Sequence, residues 1–174
     1  MALPLPLNLT NWIDEHRDDL KPPAGGKTIW TDTDFIVTVV GGPNDRRDYH
    51  ENCREEFYFQ LKGDMTLRVI DAGEPRDIPI REGEIYLLPP LVLHSPQRKA
   101  DTVGLIVERS REQGVIDAFE WFCESCGARV HRREIQVAGL EQGVNQVIEE
   151  YDSNPELRTC RACGHVNPGR GGVA

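Results

Sequence analysis

Asp48-Tyr49-His50-Glu51-Asn52-Cys53-Arg54-Glu55-Glu56-Phe57-Tyr58-Phe59-Gln60-Leu61-Lys62-Gly63 is the stretch from which the rest of the chain can be read. It opens on a histidine, offers a glutamate, and runs as a strand-like segment into a glycine turn. A second histidine ends the segment Gly83-Glu84-Ile85-Tyr86-Leu87-Leu88-Pro89-Pro90-Leu91-Val92-Leu93-His94. Two imidazoles and one carboxylate bind divalent iron on one face and leave positions open for a substrate and oxygen. Strand alternation puts Glu56, Tyr58 and Gln60 on one face, and Glu55, Phe57, Phe59 and Leu61 on the other. The apolar face suits packing on another layer or on a second subunit. Each histidine alone reads as a surface residue; the two segments together point to a metal site.

The spacing of these segments resembles the paired motifs of the cupin superfamily. Glu56 and Gly63 bracket residues 57–62 as in the first motif, and Gly83, Pro89 and His94 fit the second. The Gly63 spacing selects Glu56 over Glu55. Many cupins carry His-x-His in the first motif, whereas Asn52 stands at its second histidine position here. Three protein ligands are therefore expected rather than four, which leaves room on the metal for a bidentate substrate.

The chain has 174 residues, enough for one well-filled domain and a small appendage. Its formal net charge of −9 argues against a nucleic-acid partner. No run of about 18 apolar residues predicts a membrane span. The start, Met-Ala-Leu-Pro-Leu-Pro-Leu-Asn, lacks a basic segment and does not read as a signal peptide. Residues 11–20 predict a short helix, capped by Asn8, Thr10 or Asn11 and stopped by Pro22-Pro23, with Trp12, Ile13, His16 and Leu20 in one stripe. From Lys27 the period changes to two. Strands are expected at residues 28–30, 34–40, 65–70, 77–80, 85–88 and 103–107, with Pro79 marking an edge. This predicts an all-β fold, a jelly-roll barrel with short flanking helices.

Past Glu112-Gln113-Gly114 the character changes. Cys123-Glu124-Ser125-Cys126-Gly127 and Cys160-Arg161-Ala162-Cys163-Gly164 are two Cys-x-x-Cys-Gly knuckles, the signature of a four-thiolate tetrahedral site. The expected division is residues 1–114 as a cupin domain and 115–174 as a small rubredoxin-like metal-binding region. Zinc and iron both suit such a ligand set. Paired cysteines acting as metal ligands fit a reducing, cytoplasmic compartment. A helix is expected at residues 143–151, with Val144, Val147, Ile148 and Tyr151 as its apolar stripe. His131 and His165 lie near the knuckles, but four cysteines already complete the site. Cys53 reads as a loop cysteine. Arginines at 129, 132, 133, 158 and 161 raise a zinc-ribbon docking module as a rival, which the acidity of the chain disfavours.

Arg46 precedes His50 and Arg98 follows His94 at matching offsets, which suggests a pocket for an anion gripped by guanidinium forks. Glu108 is a candidate for their acidic counterpart or for a group acting on a substrate proton. Gly41-Gly42-Pro43-Asn44, Asp48-Tyr49-His50, Leu87-Leu88-Pro89-Pro90, His94-Ser95-Pro96-Gln97-Arg98 and Val107-Glu108-Arg109 resemble the 3-hydroxyanthranilate 3,4-dioxygenase family, and the cysteine knuckles resemble its bacterial branch. The likeness runs over roughly residues 8–170. It implies that His50, Glu56 and His94 hold a catalytic Fe(II) and that Arg46 and Arg98 bind the carboxylate of a small aromatic substrate that reacts with O2. Glu108 would contact the substrate's polar end and assist its deprotonation. Cys123, Cys126, Cys160 and Cys163 would hold a second iron, or zinc. It also implies a homodimer acting in tryptophan or 2-nitrobenzoate breakdown. The loop Ala24-Gly25-Gly26-Lys27 departs from the family in lacking an asparagine near Gly26. The rival reading is a non-catalytic cupin that binds a small carboxylate on a structural metal.

Overall fold

The strand β4 (Glu56–Lys62) alternates as its sequence predicts: Glu56, Tyr58 and Gln60 are buried, while Phe57 and Phe59 turn to a half-covered face. Glu55, just before it, is exposed. The computed structural model describes residues 3, 5–22, 25–31, 33–136 and 140–169. Pro23 of the expected helix stop, Ala24 of the departing loop and the tail from Arg170 lie outside them.

Around β4 the chain lays down β1 (Gly26–Thr28), β2 (Phe35–Gly41), β3 (Tyr49–Glu51), β5 (Met65–Asp71), β6 (Glu74–Ile80), β7 (Ile85–Leu88), β8 (His94–Arg98), β9 (Val103–Arg109), β10 (Asp117–Phe122) and β11 (Arg129–Ile135). One sheet has the order β1-β2-β9-β4-β7 and the other β11-β10-β3-β8-β5-β6, with every pairing antiparallel. The inner strands, β2-β9-β4-β7 against β3-β8-β5-β6, have the strand order of a jelly roll. Tyr58 and Leu88 of the first sheet pack against Met65, Leu67, Val69 and Ile80 of the second, so the main core lies between the sheets.

Local chemistry explains the connections. Gly63 takes φ +64° between β4 and β5, where a side chain is disfavoured. Ala72 and Gly73 both have positive φ, as a two-residue hairpin turn requires. That short turn lets β6 begin at Glu74, earlier than the expected Asp77. β6 is a sheet edge, which tolerates Pro75 and Pro79.

The helix α1 (Leu9–Glu15) is displaced from the expected 11–20. Asn8 caps it, its Oδ1 accepting from the Asn11 amide at 3.0 Å. It stops at His16, whose Nδ1–H donates to the Trp12 carbonyl at 2.8 Å while the ring stacks on Trp12. Trp12 and Leu20 still meet, together with Val39, on the outer face of the first sheet.

Past residue 114 the chain returns to the barrel. β10 pairs with β3 in the register Phe119↔His50, and so continues the second sheet. Phe119 and Trp121 then pack against Val147, Ile148 and Tyr151 of α2 (Leu140–Ser153), near the one-turn α3 (Pro155–Arg158). Among the described residues no helix is long and apolar enough to cross a membrane.

Candidate functional site

Three strands bring the site together. β3 supplies His50 and β8 supplies His94, directly opposite each other in the register. β4 supplies Glu56 from the facing sheet, at the end where it pairs with β9 across Glu56↔Glu108. All three ligands are buried, and one ligand atom of each lies within 4.8 Å of the others. Glu56 Oε2 is 3.3 Å from His94 Nε2, and Oε1 is 3.8 Å from His50 Nδ1.

Each imidazole has its remote nitrogen tied down. His94 Nδ1–H donates to the Val92 carbonyl at 2.8 Å, and His50 Nε2 bonds Asp117 Oδ2 at 2.8 Å. Such anchoring leaves one lone pair on each ring for a metal. Burial pulls His50 below its usual pKa, which keeps it neutral as a ligand must be. Asn52, at the position where the first motif lacks its second histidine, is buried and donates instead to Glu56 Oε1, while the Tyr58 hydroxyl donates to Oε2. Burial works against a charge on Glu56, yet its pairing with His94, itself held above the usual imidazole range by Glu56 against its own burial, and the Tyr58 hydrogen bond keep the carboxyl below the ordinary range. Two imidazoles, one charged carboxylate and an open side therefore fit a divalent ion of the iron type.

The triad opens into a cavity of about 540 Å³ whose wall includes Arg46, Arg98, Glu108, Thr38 and Ile106, with Val144 and Ile148 of α2. That is the size of a small-molecule pocket. Arg46 is gripped by the buried Asp48, with Nε 3.2 Å from Oδ1 and Nη2 on Oδ2. Arg98 is only 5% exposed. Its Nη1 donates to Gln60 Oε1 at 3.0 Å, and its Nη2 has no hydrogen-bond partner among the described residues. Burial, with the like charge of Arg46 nearby, brings Arg98 down to about 10. Gly104 makes room for it: a Cβ there would stand 2.7 Å from Nη1. Asn44 ties the Arg46 loop to β8, accepting from the Arg98 amide at 2.7 Å and donating to the Pro96 carbonyl at 2.8 Å.

Glu108 is not the counterpart of the two cavity arginines. Its Oε2 accepts from Arg111 Nη1 at 2.6 Å. Burial and the Glu56 carboxylate push it up to about 7, against the pull of Arg111. Asp117 remains charged because hydrogen bonds from His50 and Arg111 outweigh its burial. Asp48, Gln60, Arg111 and Asp117 were not singled out in the sequence. Strand alternation did put Gln60 on the Glu56 face and Asp48 lies in the Asp48-Tyr49-His50 motif, but neither was given a role, and Arg111 and Asp117 carried no local signal.

The four cysteines form a second cluster, remote in sequence from the first. Cys123 and Cys163 sulfurs are 3.6 Å apart, and those of Cys126 and Cys160 are 3.7 Å apart. Ligands at about 2.3 Å around a tetrahedral ion sit about 3.8 Å apart, whereas a disulfide needs about 2.05 Å. The knuckles match: Gly127 N–H donates to the Cys123 carbonyl and Gly164 N–H to the Cys160 carbonyl, both at 2.9 Å, with both glycines at positive φ. Backbone amides of Cys163 and Ala162 aimed at its sulfur bring Cys160 down to about 7. His165 stays outside the set, which is made of the four thiols.

The 3-hydroxyanthranilic acid dioxygenase family model matches residues 1–152. A 3-hydroxyanthranilate 3,4-dioxygenase of Ruegeria pomeroyi is 49% identical over 94% of this chain and 91% of its own. One from Jannaschia sp. is 50% identical with the same coverage, and one from Burkholderia lata is 46% identical over 95% of both chains. Among solved structures, a cupin-2 domain containing protein from Shewanella frigidimarina aligns over 49% of this chain and 79% of its own, at 20% identity and a TM-score of 0.42. With the triad and cavity in place, and with relatives matching nearly end to end, this chain belongs to the 3-hydroxyanthranilic acid dioxygenase family.

Proposed function

We propose that this chain is an extradiol-type, ring-opening dioxygenase that converts 3-hydroxyanthranilate and O2 to 2-amino-3-carboxymuconate 6-semialdehyde. The observation that carries this reading is the buried, unpartnered Arg98 Nη2 in the wall of the cavity that holds the triad. A buried cation without an acid demands an anion, and a substrate carboxylate supplies it. His50, Glu56 and His94 would hold the iron(II), which supplies, when bound, a centre where the adjacent hydroxyl and amino groups of the substrate and O2 meet and exchange electrons. Arg98 and Arg46 then fix the carboxylate, and with it the ring edge presented to that centre. Glu108, near neutrality and on the same wall, is suited to take the proton of the ring hydroxyl. The apolar lining from Ile106, Val144 and Ile148 excludes water around the ring. The rival, a carboxylate-binding cupin without turnover, gives a poised acid–base residue no task.

The four-cysteine region, residues 115–174, acts in this reading as a rubredoxin-like staple on iron or zinc. It stabilises a segment with a small core of its own. Thiols kept as metal ligands suit the cytoplasm. The outer face of the first sheet is suited to a second copy of the chain. Leu87, Phe57 and Val107 lie side by side across it. Phe35, Ile85 and Leu87 are 55%, 65% and 55% exposed. A contiguous apolar patch of this kind is the sort of surface that interfaces use, which supports the homodimer reading.

Arg98→Ala should weaken 3-hydroxyanthranilate binding by about tenfold to a hundredfold, the scale of one or two charge-assisted hydrogen bonds. Iron(II) affinity should hardly change, and equal losses in the two titrations would remove Arg98 from the substrate site. If Glu108 accepts the proton, turnover falls as pH drops below about 7, where the carboxylate protonates. Glu108→Gln should then lower kcat by about 10²-fold or more and abolish that acidic limb; a limb that persists in the variant assigns the proton to another group. Changing Cys123, Cys126, Cys160 and Cys163 together to serine should strip the second metal and lower the unfolding temperature by roughly 5 °C or more. Turnover per triad iron should survive in the folded fraction, and its loss would make the cysteine site part of the electron path.

A further inference from the structure

His50 is held on its outer side by β10. Its Nε2 lies 2.8 Å from Asp117 Oδ2, and its ring stacks on Phe119 with centroids 4.7 Å apart and planes within 9°. Asp117 is fully buried, so its carboxylate faces no water. Arg111 braces it, with Nη2 2.9 Å from Oδ2 and Nε 3.3 Å from both oxygens. The Nη1 of the same guanidinium donates to Glu108 Oε2 at 2.6 Å. The Arg111 side chain, only 2% exposed, therefore joins the carboxylate behind a metal ligand to the carboxylate in the cavity wall.

The donors fix the direction of the bonds. A carboxylate that receives a guanidinium is an acceptor, so the proton on the His50–Asp117 bond sits on Nε2. The free lone pair is then that of Nδ1, which looks towards Glu56 at 3.8 Å. His94 is arranged the other way, with Nδ1–H on the Val92 carbonyl and Nε2 towards Glu56 at 3.3 Å. We infer that Asp117 is a positioning residue for the triad: it holds His50 as the Nε2–H tautomer, so that Nδ1 is the atom presented to the metal, while Arg111 locks Asp117 and Glu108 into one bridge. Phe119 keeps the ring from tilting. The segment beyond residue 114 thus reaches into the site through β10, ahead of its cysteines.

A merely structural Asp117 would balance the charge of Arg111 and leave His50 indifferent to it. The two roles differ in what the imidazole reports. This inference rests on the triad being the metal site of the proposed reaction. The test is long-range proton–nitrogen correlation NMR of the full chain loaded with zinc, whose closed shell keeps the ring signals sharp. The expected result is His50 protonated at Nε2 and metal-bound at Nδ1, with His94 reversed. Zinc on His50 Nε2 would overturn the positioning role and leave the metal site standing. Zinc absent from both rings would overturn the metal reading itself. In the same assay Asp117→Ala should weaken zinc at the two rings by about 10–100-fold. Asp117→Asn, which keeps an oxygen acceptor, should recover most of that loss. An alanine variant that binds as tightly as the native chain would also overturn the inference, and if that variant does not fold, the native spectrum decides alone.

Discussion

Glu56 is a buried carboxylate, and the cost of burying its charge organises much of the molecule. An isolated ionised carboxylate away from water is unfavourable by many kcal/mol unless donors or cations surround it. Here Asn52 and Tyr58 donate to its two oxygens, and two imidazoles close in from the facing sheet. Hydrogen bonds from neutral donors do not cancel a charge. A divalent ion between the carboxylate and the two imidazole lone pairs does, and the same ion would draw β3, β4 and β8 together. Jelly-roll closure and metal site are in this sense one constraint: the sheets must face each other closely enough for Glu56 to reach His50 and His94.

The same logic extends to the cations. Arg46 has its carboxylate in Asp48, and Arg111 has two, in Glu108 and Asp117. Arg98 has an amide oxygen from Gln60 on one nitrogen and, among the described residues, nothing on the other. An unpaired guanidinium in a well-packed wall is destabilising as it stands, and such strain is tolerated where a ligand relieves it. The backbone accommodates it through Gly104, and the loop bearing Arg46 is tied to the Arg98 strand through Asn44 and Gln97. These bonds explain why the motifs around residues 41–50 and 94–98 belong together: they are two sides of one pocket mouth.

What was legible in the sequence follows from the range of the interactions involved. Glu56 could be told from Glu55 because its spacing to Gly63 is a local pattern, and strand alternation, also local, separates the two onto opposite faces, as the burial of one and the exposure of the other show. The cysteine knuckles were legible because a Cys-x-x-Cys-Gly turn brings its own ligands together. β8 was not marked as a strand: His94-Ser95-Pro96-Gln97-Arg98 has no apolar alternation, since apart from Pro96 its buried side chains are polar. β10 was missed for the opposite reason, being buried on both faces, so that no period of two is left to read. Asp117 and Arg111 depend on β10 lying beside β3, a pairing between segments far apart in sequence that no local pattern announces. The helix α1 ended early because His16 turns its ring back onto Trp12, a single contact that propensity does not encode.

The most direct test of the account is anaerobic reconstitution with iron(II), followed by oxygen uptake and ultraviolet absorbance in the presence of 3-hydroxyanthranilate. The account predicts one O2 consumed per substrate and the growth of a new muconate-semialdehyde band. No uptake, with iron shown to be bound at His50, Glu56 and His94, would contradict it and leave a metal-bearing jelly roll that binds its carboxylate without opening the ring.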